Sequence, residues 1–196
     1  MPPMIPGTQL PLSSETAAAF SAMDPLLSAA GGLSLSQVTG ITGLRASTIQ
    51  NWVKRGFVPN PREKRYDETA LARILIINIL RDCIQLEKIH KLMQYVNGSV
   101  EDRTDDIITD RELYNMLCAA IIHIGEQPLQ NPRALDDELD NILGDYRGPR
   151  PDSRQRVKKA LTVMLLAHSA ATLKRQVDGL LADLSPDSQT DRKEND

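Results

Sequence analysis

Residues 33–56 constrain the fold more than any other part of the chain. Ser34 and Gln37 stand at capping-box spacing, which starts a helix with Leu35, Val38 and Ile41 along one face. Gly43 ends it with the left-handed backbone that a tight turn needs. A second helix runs from about Ala46 to Arg55, with Ile49, Trp52 and Val53 inward and Gln50, Asn51 and Lys54 outward. Two short amphipathic helices joined by a glycine-centred turn make a helix-turn-helix unit. Gly56 stops the second helix, and FVPNPREKRY comes next. Pro59 and Pro61 bar both a helix and a central strand, while Phe57, Val58 and Tyr66 supply apolar ends. The segment reads as a β-ribbon wing with a basic tip.

Helical periodicity governs the rest of the chain. Asp67 or Thr69 caps ALARILIINILRDC, whose apolar stripe is wide enough to require burial on more than one side. LEKIHKLMQYV carries Ile89, Leu92, Met93 and Val96 on one face and closes at Asn97-Gly98. The acidic stretch 99–108 reads as an exposed linker. Thr109 and Glu112 form a second capping box, opening a helix that is apolar on most sides from Leu113 to Ile124. A short acidic helix covers ALDDELDNILGDY. Ser153 caps the longest segment, about 154–184, whose apolar residues recur at irregular spacings. The first 32 residues read as partly ordered, with a short helix around Ser14–Met23, its cap at Ser14, and prolines that otherwise limit the segment to extended or turn structure. The tail 185–196 is too poor in apolar residues to order itself.

Charge divides unevenly. Residues 33–98 hold ten Lys and Arg against five Asp and Glu, a net of +5, which leaves -8 elsewhere in a chain whose total is -3. Six bases fall between Leu44 and Tyr66 with Glu63 as the one acid, and a polyanion binds where charge is concentrated in this way. No run of about 18 apolar residues exists, so a membrane-spanning helix is not expected. The N-terminus lacks the basic and apolar regions of a secretory signal, and Cys83 and Cys118 match no redox or metal spacing, so the expected location is the cytoplasm. Both cysteines read as small buried hydrophobes. His90, His123 and His168 lie far apart without acid or Cys at ligand spacing, so no metal is expected; His123 and His168 read as core histidines. No glycine-rich phosphate loop, HExxH or GxSxG is present, and the chain does not read as an enzyme or as the holder of a cofactor.

The stretch from Leu33 to Met93, especially STIQNWVKRGFVP and KRYDETALARILIINIL, resembles the DNA-binding domain of the MerR family of bacterial regulators. The whole chain also resembles an uncharacterised bacterial family, a domain of unknown function that carries such a module near its start. The MerR resemblance implies a second helix in the major groove and a wing on the flanking backbone. It places Ser47 and Thr48 at the phosphate-facing start of that helix, and Arg65 and Tyr66 at the end of the wing as phosphate contact and packing residue. Lys54, Arg55, Arg62 and Lys64 are further backbone contacts. Gln50 stands where the family often has Arg, and Arg45 where it has a capping Ser or Asp. Gln50 and Asn51 can each bond bidentately to adenine, which suits A·T-containing sites.

The expected fold is therefore mainly α: a MerR-like winged helix-turn-helix domain at 33–98, succeeded after the linker by an all-helical domain at 109–184. Residues 113–124 and 157–184 carry more apolar surface than a small bundle hides, which predicts a homodimer interface there. The resemblance implies pairing through an antiparallel long helix directly after the DNA-binding domain, but the long helix of this chain comes much later. The expected function is transcriptional regulation by binding double-stranded DNA as a homodimer on an inverted repeat, with a small-molecule effector accommodated by the helical domain. The alternative is a non-catalytic interaction or assembly module built on a helix-turn-helix scaffold.

Overall fold

The computed structural model describes residues 4–12, 19–100, 104–124 and 131–184. Among these residues the chain is mainly helical. A 3-10 turn (Ala19–Met23) leads into α1 (Asp24–Ala30), β1 (Leu33–Ser34), α2 (Leu35–Thr42), α3 (Ala46–Lys54) and β2 (Arg65–Tyr66). Then come α4 (Glu68–Leu80), α5 (Leu86–Asn97), α6 (Asp110–Ile124), α7 (Pro132–Leu143) and α8 (Ser153–Asp183). The strands β1 and β2 pair antiparallel, Leu33 opposite Tyr66 and Ser34 opposite Arg65.

Helix α4 is the centre because its sequence is apolar all round. Every residue from Ala70 to Ile77 is buried, and α2, β2, α5, α6 and α8 pack around it. A salt bridge is built into this core. Arg73 donates from Nε and Nη2 to the Asp110 carboxylate at 2.8 and 3.2 Å, and Asn97 Nδ2 adds a third donor at 2.8 Å. All three side chains are buried, so the network joins α4, α5 and α6 at one point.

Helix ends obey the sequence signals in most cases. Ser34 and Gln37 exchange capping hydrogen bonds at α2, Asp67 accepts from Ala70 N–H at α4, and Thr109 and Glu112 cap α6 reciprocally. Ser153 departs from expectation. It lies inside α8, buried, with Oγ accepting from Arg150 N–H at 3.0 Å, and Asp152 is the flanking residue. The tight Gly148–Ser153 turn takes the hydroxyl that a cap would have used.

Several other expectations are corrected. Pro25 starts α1 rather than preventing a helix, since the first turn needs no N–H from it. Of the helix expected around Ser14–Met23, the described part is the 3-10 turn; Ser14 lies outside the described residues. The N-terminal segment is built into the core. Phe20 and Met23 are fully buried, Tyr114 hydroxyl donates to Pro6 carbonyl at 2.8 Å, and Asn78 Nδ2 donates to the carbonyls of Gly7 and Thr42 at 3.0 and 3.2 Å. The stretch 99–108 is not wholly exposed either, because Ile107 and Ile108 are buried and Ile107 N–H donates to Val96 carbonyl at 3.2 Å. Cys83 is exposed in the turn after α4, where the apolar stripe has ended, while Cys118 is buried and its thiol is pushed up to about 12 by that burial. His123 is exposed at a cleft between α6 and α7, and His168 is half-buried. The tail 185–196 lies outside the described residues. Among the described residues no helix is long and apolar enough to cross a membrane.

Candidate nucleic-acid interface

Gly43 fixes the angle between α2 and α3. Its φ of +69° is the left-handed conformation that turns the chain, and its N–H closes on Thr39 carbonyl. Helix α3 then lays Ile49 and Trp52 into the core and leaves Ser47, Gln50, Asn51 and Lys54 exposed, with Thr48 half-buried. Arg45 gives α3 no side-chain cap; its carbonyl accepts from Thr48 and Ile49 N–H at 3.0 and 3.3 Å. The Ala46 and Ser47 N–H groups at the helix start therefore receive no capping side chain from Arg45.

The ribbon differs from a strand pair formed within 57–66. Pro59 and Pro61 remove donors from its first limb, so β2 pairs instead with β1, the strand that precedes α2. Within the ribbon itself, Arg62 and Arg65 face each other in a single bridge. Gly32 makes the β1–β2 approach possible: a Cβ there would lie 2.9 Å from Tyr66 carbonyl oxygen. Arg65 Nη1 fastens the same point, donating to Gly32 carbonyl at 3.1 Å. Tyr66 is buried, which pushes its phenol pKa up, and serves packing.

Between α2, α3 and the ribbon lies a cleft of about 810 Å³, walled by Ser34, Ser36, Gln50, Lys54, Asn60 and Lys64 over an apolar floor that includes Leu35 and Val53. It brings together Gln50, Lys54 and Lys64 of the residues expected from sequence. Ser47, Thr48 and Asn51 lie on α3 outside the cleft lining, and Arg62 stands exposed at the ribbon tip. Arg55 is directed elsewhere. It pairs with Glu87 of α5 and stacks over Phe57 with its guanidinium carbon 4.6 Å from the ring centroid. Hydrogen bonds from Glu87's own backbone N–H and from Arg55 hold the Glu87 carboxyl below its usual range. Phe57 also meets the His90 ring, centroids 5.1 Å apart; burial and then the Arg73 charge push the His90 pKa down.

Sequence reasoning missed Ser36 and Asn60. Neither carries charge or a motif, and only the folding of the ribbon back onto α2 brings them to the cleft. The arrangement offers an amide-bearing helix face flanked by exposed cations, groups able to hydrogen-bond and to pair with negative charge. Among the described residues no group of three His, Cys, Asp or Glu is placed to hold a metal ion.

No solved structure matches the chain. Uncharacterized protein YkrK of Bacillus subtilis (strain 168) is 28% identical over 92 residues, 45% of this chain and 39% of that protein. The chain thus spans well under two thirds of that relative's length. Residues 29–117, from the end of α1 into α6 and including the whole candidate interface, match the family described as a domain of unknown function, DUF1836.

Proposed function

We propose that residues 33–98 are a MerR-like winged helix-turn-helix that binds duplex DNA, and that the chain is a bacterial transcriptional regulator acting as two copies on an inverted repeat. One observation carries the reading: the exposed polar face of α3 shares a cleft with the ribbon's Lys64. In this reading α3 enters the major groove and presents Gln50 and Asn51 to adenine edges. Ser47, Thr48 and the uncapped first turn of α3 meet one phosphate. Lys54, Arg62 and Lys64 neutralise others, and Arg65 divides its guanidinium between Gly32 and the backbone.

Titration of the full chain against random duplex DNA over a range of salt tests the reading. Binding that weakens with salt, at a slope of about 0.9 per neutralised phosphate, supports it. Charge reversal at Arg62 and Lys64 should abolish that binding; both side chains are exposed, and Arg62 joins the ribbon through its backbone. Absence of salt-sensitive binding at low ionic strength would sink the DNA reading and favour an assembly module on the same scaffold.

A further inference from the structure

The irregular apolar spacing of the last helix resolves into two faces once α8 is placed. Val157, Leu161, Met164, Leu165 and Ala171 face inward and are buried against the bundle. A second set faces away from it. Val163, Ala170, Val177 and Leu184 recur every seven residues, with Leu166, Leu173 and Leu180 three residues after the first three. Steps of three and four alternate without a break, which is the a and d pattern of a two-stranded coiled coil. All seven residues are exposed, the six larger ones from 37% at Leu166 to 78% at Leu184.

Its outer half is exposed, with Arg175 reaching back to the bundle. Every residue from Leu173 to Leu184 is exposed, a length of about 18 Å. An isolated helix of that length is marginal in water, and an apolar stripe along it makes solvent exposure costlier still. Arg175, at a non-seam position, bonds Asp82 at 3.2 Å and Thr172 Oγ1 at 3.0 Å, contacts made from the side of α8 opposite the stripe. The stripe presents on the order of 300–400 Å² of apolar surface per copy, comparable to the largest patch on a typical soluble monomer, which often has a function.

We propose that this seam pairs with the same seam of a second copy, as a parallel two-stranded coiled coil centred on Leu173–Leu184. The residue choice selects the occupant. Two of the four a positions are valine and all three d positions are leucine, and within parallel coils a β-branched residue at a with leucine at d favours two strands, whereas isoleucine or leucine at a with isoleucine at d favours higher order. Flanking charge does not oppose this pairing. Lys174 and Asp183 are the only charged residues at the positions bordering the seam, and they lie on opposite sides of it. Parallel register places each Lys174 beside the other copy's opposite flank, while antiparallel register brings both Lys174 residues to one side. A parallel pair closes on itself with two-fold symmetry and leaves no seam exposed. The MerR resemblance implies a different helix and an antiparallel arrangement, so this pairing is not carried over from it.

The pairing deepens the two-copy part of the proposed function and rests on it, and its test contains no DNA. Sedimentation of the full chain across the micromolar range should show the mass moving from one chain to two. Leu173→Glu with Leu180→Glu should weaken association about a hundredfold or more while leaving the circular dichroism and melting of the monomer unchanged, because both side chains are exposed. In a Cys83→Ser background, Leu184→Cys should oxidise to a covalent dimer through residue 184. An antiparallel pair over the same span would hold those two positions about 16 Å apart along the axis, beyond disulfide reach. A single-chain mass throughout, a dimer indifferent to the Glu substitutions, or a dimer that Leu184→Cys cannot cross-link would each overturn it. None of those results touches salt-sensitive DNA binding by residues 33–98, so the two readings fail separately.

Discussion

Lys64 occupies the ribbon tip at a conformational cost that a single substitution can remove. Arg62 and Arg65 exchange both backbone hydrogen bonds, at 3.0 and 2.8 Å, with Glu63 at φ +49° and Lys64 at φ +62° between them. Positive φ at both central residues defines a type I′ turn, which ordinarily takes Asn-Gly. A residue with a Cβ in the left-handed region costs roughly 1–2 kcal/mol. Glycine removes that strain but loses about 0.5–1 kcal/mol more chain entropy on folding. Lys64→Gly should therefore stabilise the protein by about 0.5–1 kcal/mol, raising Tm by roughly 1–4 °C for a chain of this size. If Lys64 neutralises a phosphate, the same variant weakens DNA binding and flattens the logarithmic salt dependence by about 0.9. Thermal unfolding and a salt titration of one protein preparation read both numbers. A Tm that falls or stays put refutes the strained turn, and an unchanged salt slope removes Lys64 from the phosphate contacts.

Glu87→Gln releases Arg55 from its exposed ion pair; in the DNA reading the freed guanidinium adds a phosphate contact, steepening the salt slope by up to about 0.9, measured in the same titration. Asp110→Ala leaves Arg73 buried without a counter-charge and should cost about 3–5 kcal/mol in urea unfolding, whereas Arg73→Met with Asp110→Leu should recover most of that loss. His90 and His168 both have pKa values pushed below the usual 6.5, chiefly by burial and then by Arg73 and Arg175 respectively. The unfolded chain thus binds protons that the folded chain refuses. Their contribution is complete above about pH 6.5 and is lost as pH falls through the window beneath it, so the urea midpoint should drop between pH ~7.5 and ~5.5, less steeply in His90→Leu.

Local rules carried helices α2 and α3 because their signals are short-range. Ser34 with Gln37, Gly43, and the inward Ile49 and Trp52 each act within one or two turns, and each lies where those rules place it. Likewise, the all-round apolar character of α4 already demanded a central position. The ribbon was legible only in part. Its prolines excluded a strand in the first limb, yet nothing local to 57–66 names β1 as the partner of β2, because that pairing spans about thirty residues. Ser36 and Asn60 were invisible for the same reason. Arg55 was misleading in the opposite sense, since its charge suits phosphate while Glu87, a full helix away, already holds it.

The charge partition visible in the sequence acquires a physical constraint from the packing. The basic segment cannot be separated cleanly from the acidic remainder, because α4 belongs to the first and is covered by α6 and α8 of the second. The Arg73–Asp110 pair crosses the same boundary with both side chains buried. Removing residues 99–196 would therefore uncover apolar α4 and strand Arg73 without its carboxylate. It would not simply unmask a basic module. The interface on α3 and the ribbon is fixed to this shared core through Ile49, Trp52 and Tyr66. Rigidity of the surface formed by α3 and the ribbon thus depends on acids and apolar residues far along the chain. For the same reason a substitution at Asp110 should weaken every function of α3 in proportion to the fraction of chain unfolded, with no change in salt slope. That signature separates loss of the scaffold from loss of a contact.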